Sequence, residues 1–194
     1  FAAIEPVLHG VFEEFGNGRT LTNHPFPRIA YDESMLKYGV DKPDLRNPIE
    51  LADATEIWRD SGFGIFNGII EKGGHIRAIP APGAAEKPRS FFDQTIAFAQ
   101  EIGAKGLAYI GFGADGEVKG PIAKFLSEAK IAELKTLCNL KNGDAVFFAS
   151  GGYDEAGLIA GQVRIRLGNE LDLLEKNIFK FCWVVDFPYY EWND

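Results

Sequence analysis

Residues 38–46 carry more chemistry than a connecting loop requires. Tyr38-Gly-Val-Asp41-Lys42-Pro43-Asp44-Leu-Arg46 packs two acids, two bases and a proline of fixed φ into one short stretch. An extended backbone at Pro43 would send these charges to alternate sides, where each can meet a partner of opposite sign. Taken alone, the stretch reads either in that way or as a salt-bridged surface turn. The remaining reactive residue types are scattered. His9, His24 and His75 fall on a predicted helix, a Pro-rich loop and a predicted hairpin, with no H-x-x-x-H or C-x-x-C spacing, so no metal site is expected. Cys138 and Cys182 lie in apolar runs, where buried, reduced thiols are expected. The serines and cysteines form no nucleophile elbow, and no local pair of acids stands apart from solvated helix faces. Gly111-Phe-Gly-Ala-Asp-Gly116 satisfies G-x-G-x-x-G, but a phosphate cradle needs its third glycine to open a helix. Here Glu117-Val-Lys-Gly-Pro121 follows, so a hairpin turn is expected instead.

The elements that position these residues belong to a globular chain of 194 residues, 46% hydrophobic and 25% charged. No run approaches the roughly 18 apolar residues of a membrane span, and no secretory signal pattern stands near Phe1, so a cytoplasmic location without membrane contact is expected. Twenty Lys and Arg against 28 Asp and Glu give a net charge of -8, which argues against a tight nonspecific grip on a polyanion. Residues 61–180 hold 14 of each sign and are neutral, so the flanks carry the whole excess. Middle and ends read as different objects: 1–60, 61–180 and 181–194.

In the first flank, Ile4, Leu8, Val11, Phe12 and Phe15 recur at helical spacing until Gly16-Asn17-Gly18. A Pro-rich passage over 24–28 precedes a helical turn at Asp32–Tyr38 that Gly39 ends. Pro43 and Pro48 predict extended chain over 41–48, and a second helix is expected over Ile49–Asp60. The middle predicts a first hairpin, Phe63–Ile70 with His75–Pro80 across Gly73-Gly74, followed by an exposed loop over 80–90. A helix capped by Ser90 presents Phe92, Ile96 and Ala99, and a second hairpin joins Leu107–Phe112 to Glu117–Gly120. Pro121 can start another helix with Ile131, Leu134 and Cys138 on one face. Ala145–Ala149 reads as a buried strand, Ile159, Val163, Leu167 and Leu171 as a long helix, and Phe179–Val185 as a strand. This order predicts an α+β domain of two layers: an antiparallel sheet from two β-hairpins plus an added strand, with helices packed on one face.

The flanks also carry a family resemblance. FPRIAYDESMLKYGVDKPDLR (Phe26–Arg46) resembles the bacterial-type aspartyl-tRNA synthetase pattern, in which a proline-arginine pair leads into a helix and then Y-G-x-D-K-P-D-L-R. FCWVVDFPYYEWND (Phe181–Asp194) is similar to the W-V-x-D-F-P strand before that family's last catalytic motifs. Ser34 and Val40 depart from it, where alanine and serine are common. Between these signatures the family carries an inserted α+β unit, the GAD domain, where the neutral segment lies.

The resemblance implies a parent enzyme, a homodimer, that joins aspartate to tRNA using ATP and magnesium. It implies that the ATP-binding arginines and metal-binding acids lie outside this sequence, so the chain alone is expected to be inactive, with no catalytic residue and no metal of its own. Asp41, Lys42, Asp44, Arg46 and Asp186 are the signature residues expected to face the remainder of the catalytic domain. Lys72, Arg77, Lys87 and Arg89, near the first hairpin and the 80–90 loop with only Glu71 and Glu86 among them, are candidate tRNA contacts. A free-standing α+β module akin to the archaeal glutamyl-tRNA amidotransferase GAD domain is the contrasting reading, one that would not need the DKPDLR and WVVDFP flanks.

Overall fold

The computed structural model describes residues 1–190; residues 191–194, the end of the expected returning segment, lie outside it. In chain order the elements are α1 (Glu5–Phe15), β1 (Thr20–Leu21), β2 (Arg28–Ala30), α2 (Tyr31–Tyr38), β3 (Ala52–Asp53), α3 (Thr55–Trp58) and α4 (Gly64–Ile70). There follow β4 (His75–Ala81), α5 (Arg89–Glu101), β5 (Ala108–Phe112), β6 (Val118–Lys119), α6 (Glu128–Leu137), β7 (Ala145–Gly151), α7 (Tyr153–Glu170), β8 (Ile178–Phe179) and β9 (Trp183–Val185).

Five strands form an antiparallel sheet in the order β3-β4-β7-β5-β6. The α+β class and the antiparallel sheet agree with the sequence. The layering does not: helices cover both faces. In β7, Ala145, Phe147 and Ala149 point into one core with α5 and α7, against Phe92, Ala99, Val163 and Leu167. Val146 and Phe148 point into a second core with Trp58, Phe66, Ile70 and Leu134 from α3, α4 and α6. A strand buried on both faces has no polar side to alternate with, which is why AVFFA is apolar throughout.

The expected first hairpin is a helix followed by a strand. Phe63, Phe66 and Ile70 fall at helical spacing, and Phe66 and Ile70 are the buried residues of α4, so glycine content and apolar density had masked a 3.6-residue period. The chain then reverses through Gly73 at φ 80 into β4. The expected helix over Ile49–Asp60 shrinks to α3, because Ile49 and Leu51 extend into the core of the α5–α7 face and β3 pairs with β4, Asp53 opposite Arg77. The helix expected from Pro121 starts instead at Glu128, where the Ser127 hydroxyl accepts from the Lys130 amide. Residues 41–48 contain bends and a turn rather than a fully extended path.

The two ends of the chain pair with each other. β1 runs parallel to β8, Thr20 opposite Ile178, and β2 runs parallel to β9, Arg28 opposite Trp183. Phe179–Val185 is thus two short strands. Buried Glu5 ties these pieces together, accepting from the Trp183 indole (2.7 Å) and the Phe26 amide (3.1 Å). Phe12 packs edge-on against Phe179 and Phe181, and Phe26 stacks on Phe181.

Candidate functional site

The charged segment leaves α2 at Gly39, whose left-handed φ of 68 returns an amide to the Met35 carbonyl. Ser34, buried under this turn, donates its hydroxyl to the Val40 carbonyl at 2.7 Å, so the two positions that depart from the family pattern are bonded to each other. Beyond the turn, each charge pairs with a near neighbour. Lys42 donates to Asp41 at 2.5 Å, and Arg46 forks onto both carboxylate oxygens of Asp44 at 2.7–3.2 Å. These bonds hold both carboxyls below the usual aspartate range, Lys42 acting on Asp41 and Arg46 on Asp44. All four side chains are 38–85% exposed, so the pairs stabilise the fold little and their charges remain available to a facing surface.

What fixes the segment is its backbone. Arg164 of α7, fully buried, donates from Nε to the Ile49 carbonyl at 2.6 Å and from Nη2 to the carbonyls of Asn47 (2.8 Å) and Asp44 (3.1 Å). Its guanidinium lies 4.9 Å from the Tyr38 ring centroid. Asn47, also buried, returns its amide to the Arg164 carbonyl and accepts from the Ile49 amide. Burial lowers the Arg164 pKa from the ordinary arginine value, yet a guanidinium stays charged at any physiological pH. Arg164 and Asn47 escaped the sequence reading. The legible signal was an arginine in register with Gly157, Gly161 and Gly168, on a helix face distinct from the apolar stripe.

Asp186, directly after β9, is exposed with φ 58. Among the candidate RNA contacts, Arg77 needs correction. It is 1% exposed, 3.3 Å from Asp53 and stacked under the Tyr153 ring, because its position on β4 faces a core. It is not free to meet a phosphate. Lys72, Lys87 and Arg89 are exposed, Arg89 standing 3.6 Å from Asp93. They do not form one patch: Lys72 precedes β4 and the other two follow it, so a strand of about 20 Å separates them.

Asp53 anchors a polar group that the sequence did not single out. Its carboxylate accepts from the Thr55 amide and hydroxyl and approaches His75 Nδ1 and Arg77 Nη1, both at 3.3 Å. Burial pushes its pKa up, but the Thr55 bonds, with the Arg77 charge, outweigh burial and leave it lowered. The G-x-G-x-x-G segment is the β5–β6 turn, closed by Gly113 donating to Glu117 at 2.8 Å, with Gly116 at φ 87. Cys138 and Cys182 are half-buried and unpaired, and burial pushes the Cys138 thiol up to about 12, so it stays protonated and inert. Among the described residues no group of three or more His, Cys, Asp or Glu is arranged to hold a metal, and no helix is long and apolar enough to cross a membrane.

The fold is a five-stranded antiparallel sheet with helices on both faces, with the two ends of the chain paired beside it. Residues 66–157 match the family model of the GAD domain. The particular likeness extends across both flanks. Over all 194 residues the chain is 62% identical to the aspartate–tRNA(Asp/Asn) ligase of Paramagnetospirillum magneticum and 59% identical to that of Rickettsia bellii. It is 56% identical over 195 aligned positions to that of a Wolbachia from Drosophila simulans. The whole chain is thus similar to a portion of the bacterial-type aspartyl-tRNA synthetases, spanning 22% of the first of these relatives and 32% of the others.

Proposed function

We propose that this chain is the GAD-containing portion of an enzyme that activates aspartate with ATP and magnesium and attaches it to tRNA. The observation that carries the reading is the identity of 56–62% across the entire chain, both signature flanks included. That the flanks pair as β1–β8 and β2–β9 supports their serving as parts of one host body. The relatives' names point to both the aspartate and the asparagine tRNA as acceptors; a cytoplasmic location and a homodimeric enzyme are part of the same proposal.

In this reading Asp41, Lys42, Asp44, Arg46 and Asp186 face the remainder of the catalytic domain. The chain's own contribution is positional: the buried network around Arg164 holds the charged segment while its side chains remain exposed. Lys72, Lys87 and Arg89 supply at most three phosphate contacts, so isolated GAD-containing chain should bind tRNA weakly at physiological salt. The test is charging by the full-length protein with labelled aspartate. Acid-precipitable aspartate on both the aspartate and the asparagine tRNA is the expected result; labelling of neither overturns the proposal.

A further inference from the structure

One face of α7 is built for contact with backbone rather than for apolar packing. Gly157, Gly161, Arg164 and Gly168 follow one another at helical spacing and share that face. Opposite it run Gly39 and Asn47, which bracket the charged segment. A Cβ at Gly161 would stand 2.6 Å from the Gly39 carbonyl oxygen, and one at Gly39 would stand 2.4 Å from that of Gly157. Backbone meets backbone there, and a side chain on either would force them apart. Farther along, a Cβ at Gly168 would meet the Asn47 amide at 2.3 Å.

Between these contacts Arg164 enters the segment from behind. Among the described residues no side-chain carboxylate hydrogen-bonds to it; its bonded donors go to the carbonyls of Asp44, Asn47 and Ile49, and Nη1 has no hydrogen-bond partner there. An apolar residue of similar volume would fill this site without the desolvation cost of a buried cation. What the arginine adds is a fixed path for residues 44–49, and the side chains of Asp44 and Arg46 project from that path.

We infer that α7, only the first turn of which lies in the segment matching the GAD domain model, is a positioning element for the Asp41–Arg46 segment, and that Arg164 sets where Asp44 and Arg46 stand in the aspartate-attaching enzyme. This rests on the function proposed above, and it gives α7 a task in that reaction: it holds the charged loop in place from behind. Arg164 is a positioning residue, acting through groups it does not itself present to substrate.

The test uses the full-length protein. In Arg164→Lys a single ammonium cannot reproduce the guanidinium fork. The aspartylation kcat/KM is expected to fall about tenfold or more, as small misplacements of positioned groups do. Amide hydrogen exchange over residues 44–49 should accelerate with the far-UV circular dichroism unchanged. Combined with Arg46→Ala, the two losses should not multiply, since both act on one segment. Should Arg164→Lys fail to fold, Gly168→Ala carries the test: it displaces only the Asn47 amide, and faster exchange at 46–49 with a severalfold lower kcat/KM is expected. Leu158→Ala, on the exposed side of α7, should change neither. A folded Arg164→Lys or Gly168→Ala with wild-type kinetics and exchange overturns the inference, as do losses that multiply with Arg46→Ala. If the unsubstituted protein charges no tRNA, the functional proposal fails, while the exchange measurement still decides whether Arg164 fixes the segment.

Discussion

At the scale of single residues, position in the sheet decides what a charge can do. Arg77 and Lys72 looked alike in the sequence, but β4 points Arg77 into packed structure and leaves Lys72 in solvent. Asp53, opposite Arg77, has a folded-state pKa below its unfolded value of 3.8. It therefore contributes stability that is present above that value and lost as pH falls through the lowered one. Urea unfolding midpoints should drop between neutral pH and pH well below 3.8, and Asp53→Asn should flatten that part of the profile. Thr55→Val is the sharper probe. It removes the hydroxyl that donates to Asp53 and that accepts from the Ile76 amide, leaving a buried N–H unpaired. A loss of about 2 kcal/mol in chemical denaturation is expected. For the signature segment, Lys42→Ala and Arg46→Ala should each lower aminoacylation by the full-length protein while leaving its unfolding midpoint nearly unchanged, since both side chains are exposed; unaltered kinetics in both would return the segment to a plain surface turn.

At the scale of elements, the second hairpin, β7, α5 and α7 could be read from sequence because each carried its own punctuation: Gly116 in the β5–β6 turn, an unbroken apolar run, or a helical repeat longer than two turns. The misreadings have physical reasons too. In α4 the helical spacing of Phe63, Phe66 and Ile70 spans barely two turns and competes with glycines that resemble a strand boundary. In residues 49–60 the apolar positions serve an extended run, Ile49 and Leu51, in one core and a short helix in the other, so no single period runs through them. Pro121 proved a poorer helix start than Ser127, which caps. Ser127→Ala should cost about 1 kcal/mol, read as a lower thermal midpoint with unchanged strand content. The charged segment was legible as a site, whereas its support was not, because Arg164 lies 118 residues beyond Arg46 and only the fold brings its side chain to that backbone.

At the scale of the molecule, the packing argues for a folding unit that begins earlier than the charge distribution indicated. Ile49, Leu51, Ile57 and Trp58 are buried in the two cores, and β3 completes one sheet edge. We propose that residues 47–173 fold cooperatively by themselves. A polypeptide of residues 61–180, which lacks Trp58 at the centre of an aromatic cluster with Phe66 and Phe148, should have a lower or broader unfolding transition. Equal midpoints for the two polypeptides would place the boundary at 61 after all. Above this scale, the central proposal is that the chain is part of an aspartylating enzyme and contributes position rather than chemistry. Aspartate-dependent exchange of pyrophosphate into ATP tests it most directly, run in parallel on the full-length protein and on the 194-residue chain. The account predicts exchange by the full-length protein and none above the buffer control by the chain; turnover by the chain alone, or none by the full-length protein, would contradict it.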